Sequence, residues 1–317
     1  MVAFGQQQRK QHRVSVLRDM FDKDVLGLEV GPSFRPVAPK SEGYKVETVD
    51  HATAEELRRK YAGKPSAAVQ RIEEVDYVWQ GGSLVDLIGT PGRYSYIIAS
   101  HVIEHTTDIV RFLQDCEALL KPDGVLILAV PDKRYCFDYF RPVSTAGEAV
   151  AAYLEKRDRH SVSTLFNHFS TIVRNGRKGA WDKADPISEL LLVHDVAKGM
   201  HIVEQSRQSE AYIDAHAWQF TPSSFRLMLA DLRSVNLTGL WENRLIDGLS
   251  CEFFVRLTKV PGQESARLDL LQATLQEQAG QEQTGQEQAA VLQQRPWTSL
   301  TRLLRRGLRA LRKGKSS

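Results

Sequence analysis

The chain has 317 residues, of which 42% are hydrophobic and 26% are charged, with 42 Lys and Arg against 39 Asp and Glu. This length allows one large domain or two ordinary ones, each with a buried core. Its three cysteines lie far apart, which argues against a disulfide scaffold or a zinc ribbon and predicts a reducing, cytoplasmic location. No apolar run approaches the ~18 residues of a membrane span, and the first 16 residues lack the apolar segment of a secretory signal.

The charge is unevenly distributed along the chain. Residues 295–317 carry eight Lys or Arg and no acidic residue, so they bear +8, whereas residues 1–294 bear −5. Residues 262–294 contain ten glutamines and the repeat QEQAG-QEQTG-QEQAA, which is typical of a disordered linker or a marginal helix. The sequence therefore predicts a globular domain at 1–261, a Gln-rich linker at 262–294 and a basic segment at 295–317.

Short apolar runs alternate with helical patterns in the first half of the globular domain. Five runs predict strands, at residues 25–30, 44–49, 77–80, 95–99 and 125–130. Between the last two, residues 109–120 show helical spacing and end at the turn-forming sequence KPDG. Runs at 237–246 and 251–260 predict a terminal hairpin. The predicted fold is α/β, a doubly wound, mostly parallel Rossmann-like sheet with a C-terminal antiparallel hairpin.

The region 138–216 is too long for an ordinary connection within such a fold. Its helical patterns at 164–173 and 187–196 predict a helical cap inserted on the ligand side of the sheet. Five of the nine histidines fall in it, namely His160, His168, His194, His201 and His216. Their spacing is not that of metal ligands, so the sequence predicts no metal site.

Candidate ligand-binding residues follow the predicted strands, because open α/β sheets bind ligands beyond the carboxyl ends of their strands. The loop EVGPSFRP at 29–36 has a single glycine, Gly31, which argues against the phosphate-binding fingerprint of dinucleotide enzymes. Asp50 lies 19 residues beyond Gly31, where a carboxylate can accept both hydroxyls of a ribose. Alternatively, Gly31 is only a turn glycine and Asp50 only a helix cap, for which Thr53 is a rival.

Three stretches in succession resemble the motifs of class I S-adenosylmethionine-dependent methyltransferases, especially the broad type 11 group. They are EVGPSFRP, VETVDH and YSYIIASHVIEHTTDIVRFLQDCEALLKPDGVLILAVPDKR, within residues 24–135. HAWQFTPSSF at 216–225 is similar to the segment before the penultimate helix of that group. At the first motif, Ser33 and Arg35 replace the usual second and third glycines. A catalytically silent fold that acts as a binding or scaffold module is therefore an alternative.

The resemblance implies S-adenosylmethionine as cofactor and assigns residues to it. Glu29 and Gly31 would flank the methionine end, with Glu29 facing the ammonium group directly or through water. Asp50 would hold the ribose hydroxyls. The remaining implied positions are Gly82 and Ser83 at the adenine, and Ser100 and His101 under the sulfonium.

The transfer itself is a displacement that depends mainly on orientation and on exclusion of water. A general base is needed only for a hydroxyl acceptor, and His101 and His105 are the candidate catalytic residues. Lys133, Arg134 and Tyr135 at the entrance to the cap would suit an anionic acceptor such as a phosphate or uronate, or they are ordinary loop residues.

Residues 296–313 predict a basic amphipathic helix, with leucines on one face and arginines on the other. An anionic membrane surface satisfies both faces. A partner protein or the enzyme body are alternatives, and nucleic acid would leave the leucines without a partner.

The predicted function is methyl transfer to a small-molecule or glycan/lipid-linked acceptor, with a role in cell-envelope glycan synthesis as one setting. The location would be cytoplasmic, at the inner face of the membrane. An RNA methyltransferase is disfavoured by the acidic body.

Overall fold

The computed structural model describes residues 6–64, 68–187 and 189–293. The strands in chain order are β1 (Gly27–Val30), β2 (Val46–Asp50), β3 (Tyr77–Val78), β4 (Tyr94–Ser100), β5 (Leu120–Pro131), β6 (Val173–Asn175), β7 (Leu190–Leu192), β8 (Trp241–Asp247) and β9 (Glu252–Thr258). The helices are α1 (Gln6–Arg18), α2 (Ala54–Tyr61), α3 (Leu84–Ile88), α4 (Ile109–Leu119), α5 (Ala146–Leu154), α6 (Val162–Thr171), α7 (Val196–Gln208), α8 (Pro222–Ser234) and α9 (Arg267–Gln293).

One seven-stranded sheet has the order β3-β2-β1-β4-β5-β9-β8. Strands β1 to β5 are parallel, while β9 pairs antiparallel with both β5 and β8. The predicted doubly wound sheet with a C-terminal antiparallel hairpin is confirmed. Strand order reverses between β1 and β4, so a crevice forms beyond their carboxyl ends, where Gly31 and His101 lie.

Helix α4 packs on this sheet through the apolar face that the sequence predicts. Val110, Leu113 and Cys116 are buried in the main core cluster. The helix begins after Asp108, whose carboxylate accepts the N–H of Arg111 at 3.0 Å. It ends before the KPDG sequence, which forms a bulge in β5: Tyr94 pairs with Leu120 but Tyr96 already pairs with Val125. The burial of apolar side chains on both faces of the sheet fixes the strand ends that carry the ligand-side loops.

The region 138–216 contains α5, α6, the β6–β7 hairpin and α7. The helix predicted at 187–196 is wrong, because Leu190–Leu192 pair antiparallel with Val173–Asn175. A short leucine run does not distinguish a strand from a helix by periodicity. Asp195 instead caps α7, since its carboxylate accepts the N–H of Lys198 at 3.0 Å.

Helix α9 runs through most of the segment predicted as a linker. The chain divides into two compact units, residues 1–277 and residues 278–317. The predicted helix at 296–313 lies outside the described residues. Within the described ranges, no helix is both long and apolar enough to cross a membrane.

Candidate active site

Gly31 lies where the loop after β1 passes closest to the loop after β4. Its φ is +70°, a conformation that glycine adopts without strain, and its N–H donates to the Val49 carbonyl at 2.8 Å. A Cβ at this position would lie 2.8 Å from Cγ2 of Val102. Gly31 is therefore more than a turn residue, because its lack of a side chain lets the two loops approach closely.

Glu29 organises the loop that follows Gly31. Its two carboxylate oxygens accept the N–H groups of Val37 and Ala38 at 2.7 and 2.9 Å. Burial raises the pKa of this carboxyl to about 7, although both N–H groups favour the charged form. Each oxygen can still accept a further hydrogen bond, so the contact with a ligand ammonium group stays a prediction.

Asp50 lies at the end of β2, beside the same loop. Its Oδ2 accepts the N–H of Ser33 at 2.8 Å, and its Oδ1 accepts the N–H of His51 at 2.8 Å. Thr53 caps α2 in a reciprocal capping box with Glu56, so Asp50 is not the cap of that helix. Carboxylate oxygens can accept further hydrogen bonds. Beside them, Ser33 Oγ is buried and has no hydrogen-bond partner among the described residues.

Gly82 and Ser83 lie between β3 and α3, directly before the first residue of α3. Ser83 caps this helix, and its hydroxyl donates to Asp115 at 2.9 Å. The Gly82 carbonyl accepts the indole N–H of Trp79 at 3.1 Å. A Cβ on Gly82 would meet nothing within 4 Å, so the backbone here borders open space.

Ser100 and His101 end β4, and Arg13 from α1 lies against them. The Arg13 guanidinium donates to Ser100 Oγ and pairs with Glu252 at 3.0 Å. His101 has a φ of +55°, an uncommon conformation for a residue with a side chain, and its Nε2 lies 2.7 Å from Glu252. Sequence reasoning missed Arg13 and Glu252, because neither lies in a motif and both reach the site across the fold.

Glu104 and His105 lie in a short 3-10 helix after β4, facing the loop before α8. His105 Nδ1 is 2.7 Å from Asp214, and His216 Nδ1 is 2.5 Å from Asp138. The two imidazole rings meet edge to face with centroids 4.6 Å apart. The fold thus joins the HVIEH motif to the HAWQF motif through a cluster of histidines and carboxylates.

A family model described as "Methyltransferase domain" matches residues 16–180, just over half of the chain. The chain belongs to this methyltransferase family. S-adenosylmethionine is the methyl donor that the family uses.

Curated relatives of this methyltransferase match over a short stretch. A ubiquinone biosynthesis O-methyltransferase of Rhodopseudomonas palustris strain TIE-1 is 36% identical over 52 residues, covering 16% of this chain and 21% of the relative. The same enzyme from strain HaA2 is 37% identical over 51 residues, covering 16% and 20%. The chain therefore matches only about a fifth of the length of these relatives.

Solved structures are similar at low identity. A putative S-adenosylmethionine-dependent methyltransferase from Listeria monocytogenes is 12% identical, with a TM-score of 0.42, covering 81% of this chain and 100% of that one. The CcbJ methyltransferase from Streptomyces caelestis is 13% identical, with a TM-score of 0.41, covering 81% and 97%.

The residues of this methyltransferase fit its cofactor. S-adenosylmethionine has no phosphate, so it needs a ribose acceptor and a close backbone approach rather than a phosphate cradle. Groups of this kind are present at the sheet crevice: the Asp50 carboxylate, the backbone of Gly31, and the Ser33 hydroxyl, which has no hydrogen-bond partner among the described residues. Arg13 adds a cation that the sequence motifs did not include.

His101 is a poor general base in this methyltransferase. Burial alone lowers the pKa of its imidazole, but the Glu104 and Glu252 carboxylates outweigh burial and raise the pKa to about 9. The ring is therefore protonated at neutral pH and cannot accept a proton. The pKa of His105 is also raised, because its contact with Asp214 outweighs burial.

The three residues predicted to bind an anionic acceptor are engaged inside the protein. Lys133 is buried and donates to the Tyr139 carbonyl at 3.0 Å, and burial lowers its pKa to about 8. Arg134 forms a two-point ion pair with Asp132, at 2.9 and 2.6 Å, and its guanidinium lies over the Tyr135 ring. These contacts argue for a structural role at the end of β5 and against the predicted capture of an anion.

Proposed function

We propose that the chain transfers a methyl group from S-adenosylmethionine to a hydroxyl oxygen of a small-molecule or glycan/lipid-linked acceptor. The observation that carries the proposal is the crevice at the switch point of the sheet. There Gly31, Ser33 and Asp50 come together beside the ends of β1 and β4. Family membership supports the donor, and the printed names of the curated relatives support oxygen as the accepting atom.

Each part of the crevice has a distinct task in this proposal. When bound, S-adenosylmethionine supplies an activated methyl group on a sulfonium. Asp50 accepts the ribose hydroxyls, and Ser33 donates or accepts one further hydrogen bond beside them. Arg13 pairs with the carboxylate at the methionine end, because its guanidinium already lies at Ser100, at the end of β4. Glu29 holds the loop in the shape that these contacts require.

The acceptor would lie on the side of the histidine and carboxylate cluster that follows β4. His101 is protonated there and stabilises negative charge, while His105 and His216 are each oriented by a carboxylate. A polar, partly buried wall of this kind suits a hydroxyl acceptor better than an apolar carbon. A cell-envelope glycan is one acceptor of this kind.

Calorimetry tests the proposal. Wild-type protein should bind S-adenosylmethionine, and Arg13→Gln should weaken binding by about 10-fold or more, because one charge-assisted hydrogen bond contributes roughly 1.5–3 kcal/mol. Arg226→Gln is the control, since Arg226 on α8 forms a comparable ion pair with Glu242 on β8. Folded wild-type protein that releases no heat would reject the enzyme and favour the silent scaffold.

The basic segment 296–313 is proposed to bind an anionic membrane surface and hold the enzyme at the inner face of the membrane. Its arginines would face the lipid headgroups, at about 1 kcal/mol for each basic residue near the surface. Full-length protein should sediment with vesicles that contain anionic lipid, and a chain truncated after residue 294 should not. Equal sedimentation of the two proteins would contradict the proposal, and neutral vesicles are the control.

A further inference from the structure

We propose that Glu104, His105 and His216 bind one divalent metal ion of the zinc class. One ligand atom of each residue lies within 4.8 Å of the corresponding atoms of the other two. Two imidazoles and one carboxylate are the protein ligands of many catalytic zinc sites, in which a fourth position stays open. The inference goes beyond methyl transfer, because ion binding does not require S-adenosylmethionine.

Glu104 is the first observation that points to an ion. Its side chain is 1% exposed, and neither carboxylate oxygen accepts a hydrogen bond from the residues that the structure describes. His101 Nδ1 and His105 Nε2 lie 3.4 and 3.9 Å from its Oε1. A buried carboxylate without hydrogen bonds is costly unless a cation balances it. His101 lies near the carboxylate without a hydrogen bond to it, whereas a metal ion between Glu104 and the two histidines would contact the carboxylate oxygens directly.

The orientation of the two histidines is the second observation. Each uses Nδ1 to contact a carboxylate, His105 with Asp214 at 2.7 Å and His216 with Asp138 at 2.5 Å. Such a contact fixes the ring and leaves Nε2 as the ligating atom, and it is the usual arrangement behind metal-bound histidines. Both His105 and His216 therefore have the Nδ1 contact that is usual for metal-bound histidines.

The ligand distances are compatible with an ion after a small contraction. Zinc bonds to nitrogen and oxygen are about 2.0–2.2 Å long, so ligands around one ion lie about 3.5 Å apart. The separation of 3.9 Å between His105 Nε2 and Glu104 Oε1 is already close to that value. Modest side-chain rotations would bring the third ligand into range.

The location suggests a role that rests on the proposed function. The cluster adjoins His101, which follows Ser100 at the end of β4, on the side assigned to the acceptor. An ion in this position would bind the acceptor hydroxyl and favour loss of its proton to solvent. The oxygen lone pair then forms the new O–C bond as the S–C bond breaks, and the S–C electron pair stays on sulfur.

Two titrations of full-length protein, first treated with a chelator, test the site. Co²⁺ binding is followed by absorption, which reports the ligands of the ion, and Zn²⁺ binding is followed by calorimetry. Wild-type protein should bind one ion per chain. Glu104→Gln keeps the shape of the side chain and should weaken binding at least about 100-fold. His201→Asn, which changes an exposed histidine of α7, should leave affinity unchanged. Equal affinities for wild-type and Glu104→Gln protein, or no ion bound by folded wild-type protein, would overturn the proposal.

Two further variants test the supporting carboxylates without removing a ligand. Asp214→Asn and Asp138→Asn should each weaken Co²⁺ binding by about 10- to 100-fold. Because Asp138 is buried and also pairs with Arg141, circular dichroism must show that this variant is folded. Asp214 is more exposed and carries the test if Asp138→Asn is unfolded. Unchanged affinity in folded Asp214→Asn would contradict the assigned arrangement.

The same samples separate this inference from the proposed function. Titration with S-adenosylmethionine in the presence of chelator reports the crevice alone. Ion binding without cofactor binding would support the metal site and contradict the proposed methyltransferase activity. Cofactor binding without ion binding would support the proposed methyltransferase activity and contradict the metal site.

Discussion

Replacement of Asp50 with asparagine should raise the Kd for S-adenosylmethionine by about 30-fold or more. A ribose that donates two hydroxyls to a carboxylate makes two charge-assisted hydrogen bonds, each worth roughly 1.5–3 kcal/mol. Asparagine keeps one oxygen as an acceptor, but an NH₂ group replaces the other oxygen. This NH₂ group cannot accept a hydrogen bond from the second ribose hydroxyl or from the Ser33 N–H. One hydrogen bond is lost and one is weakened, and each 1.4 kcal/mol is tenfold in affinity.

The effect on binding must be separated from an effect on folding. Asp50 also holds the loop through Ser33, so the variant should lose about 1–3 kcal/mol of stability from the unpaired N–H. Asp76→Asn is the matched control, because its carboxylate accepts the Thr48 N–H at 2.7 Å just before β3, and Asp76 has no assigned contact with the cofactor. It should lose comparable stability without a change in Kd. Similar Kd changes in both variants would contradict the ribose assignment.

Replacement of Gly31 with alanine should abolish detectable cofactor binding and destabilise the fold by about 2 kcal/mol or more. A left-handed φ costs a residue with a side chain roughly 1–2 kcal/mol. The new methyl group would also lie 2.8 Å from Val102 Cγ2, so the loops after β1 and β4 would have to separate. Chemical denaturation and calorimetry measure the two effects.

Gly43→Ala is the control for the stability cost of a left-handed φ at a residue with a side chain. Gly43 has a φ of +85°, but a Cβ there meets nothing within 4 Å. The Gly43→Ala variant should lose less stability than Gly31→Ala, and its Kd for S-adenosylmethionine should be unchanged. The double variant Gly31→Ala/Val102→Ala should regain part of the stability because the overlap is relieved. Equal losses for Gly31→Ala and Gly43→Ala would show that the close approach of the two loops is not important.

Local pattern was sufficient to predict much of the main sheet. Alternating apolar runs located β1 to β5, and helical spacing located α4 within one residue of its observed end. These features follow from side-chain periodicity within a few residues, which the sequence displays directly. The same reasoning failed at 187–196, where a leucine run fits a strand or a helix and the partner Val173–Asn175 decides between them.

The position of Asp50 was predictable for a related reason. The residue that ends a buried parallel strand lies at the ligand edge of the sheet whatever its neighbours are. Its detailed environment was not predictable, because it depends on which backbone N–H groups the Gly31 loop turns towards it. Glu29 illustrates the difference, since its motif was recognised but the hydrogen bonds of its carboxylate to the N–H groups of Val37 and Ala38 were not predicted.

By itself, the sequence determined the α/β class, the positions of the strands of the main sheet and the motifs that follow those strands. Tertiary structure alone decided which distant side chains meet there. Arg13 reaches Ser100 across 87 residues, and His105 reaches Asp214 across 109. No local periodicity encodes such contacts, because they form only when burial of the core brings α1 and the loop before α8 against the end of β4. The cluster of Glu104, His105 and His216 is a product of that packing, and no spacing within the sequence could have indicated it.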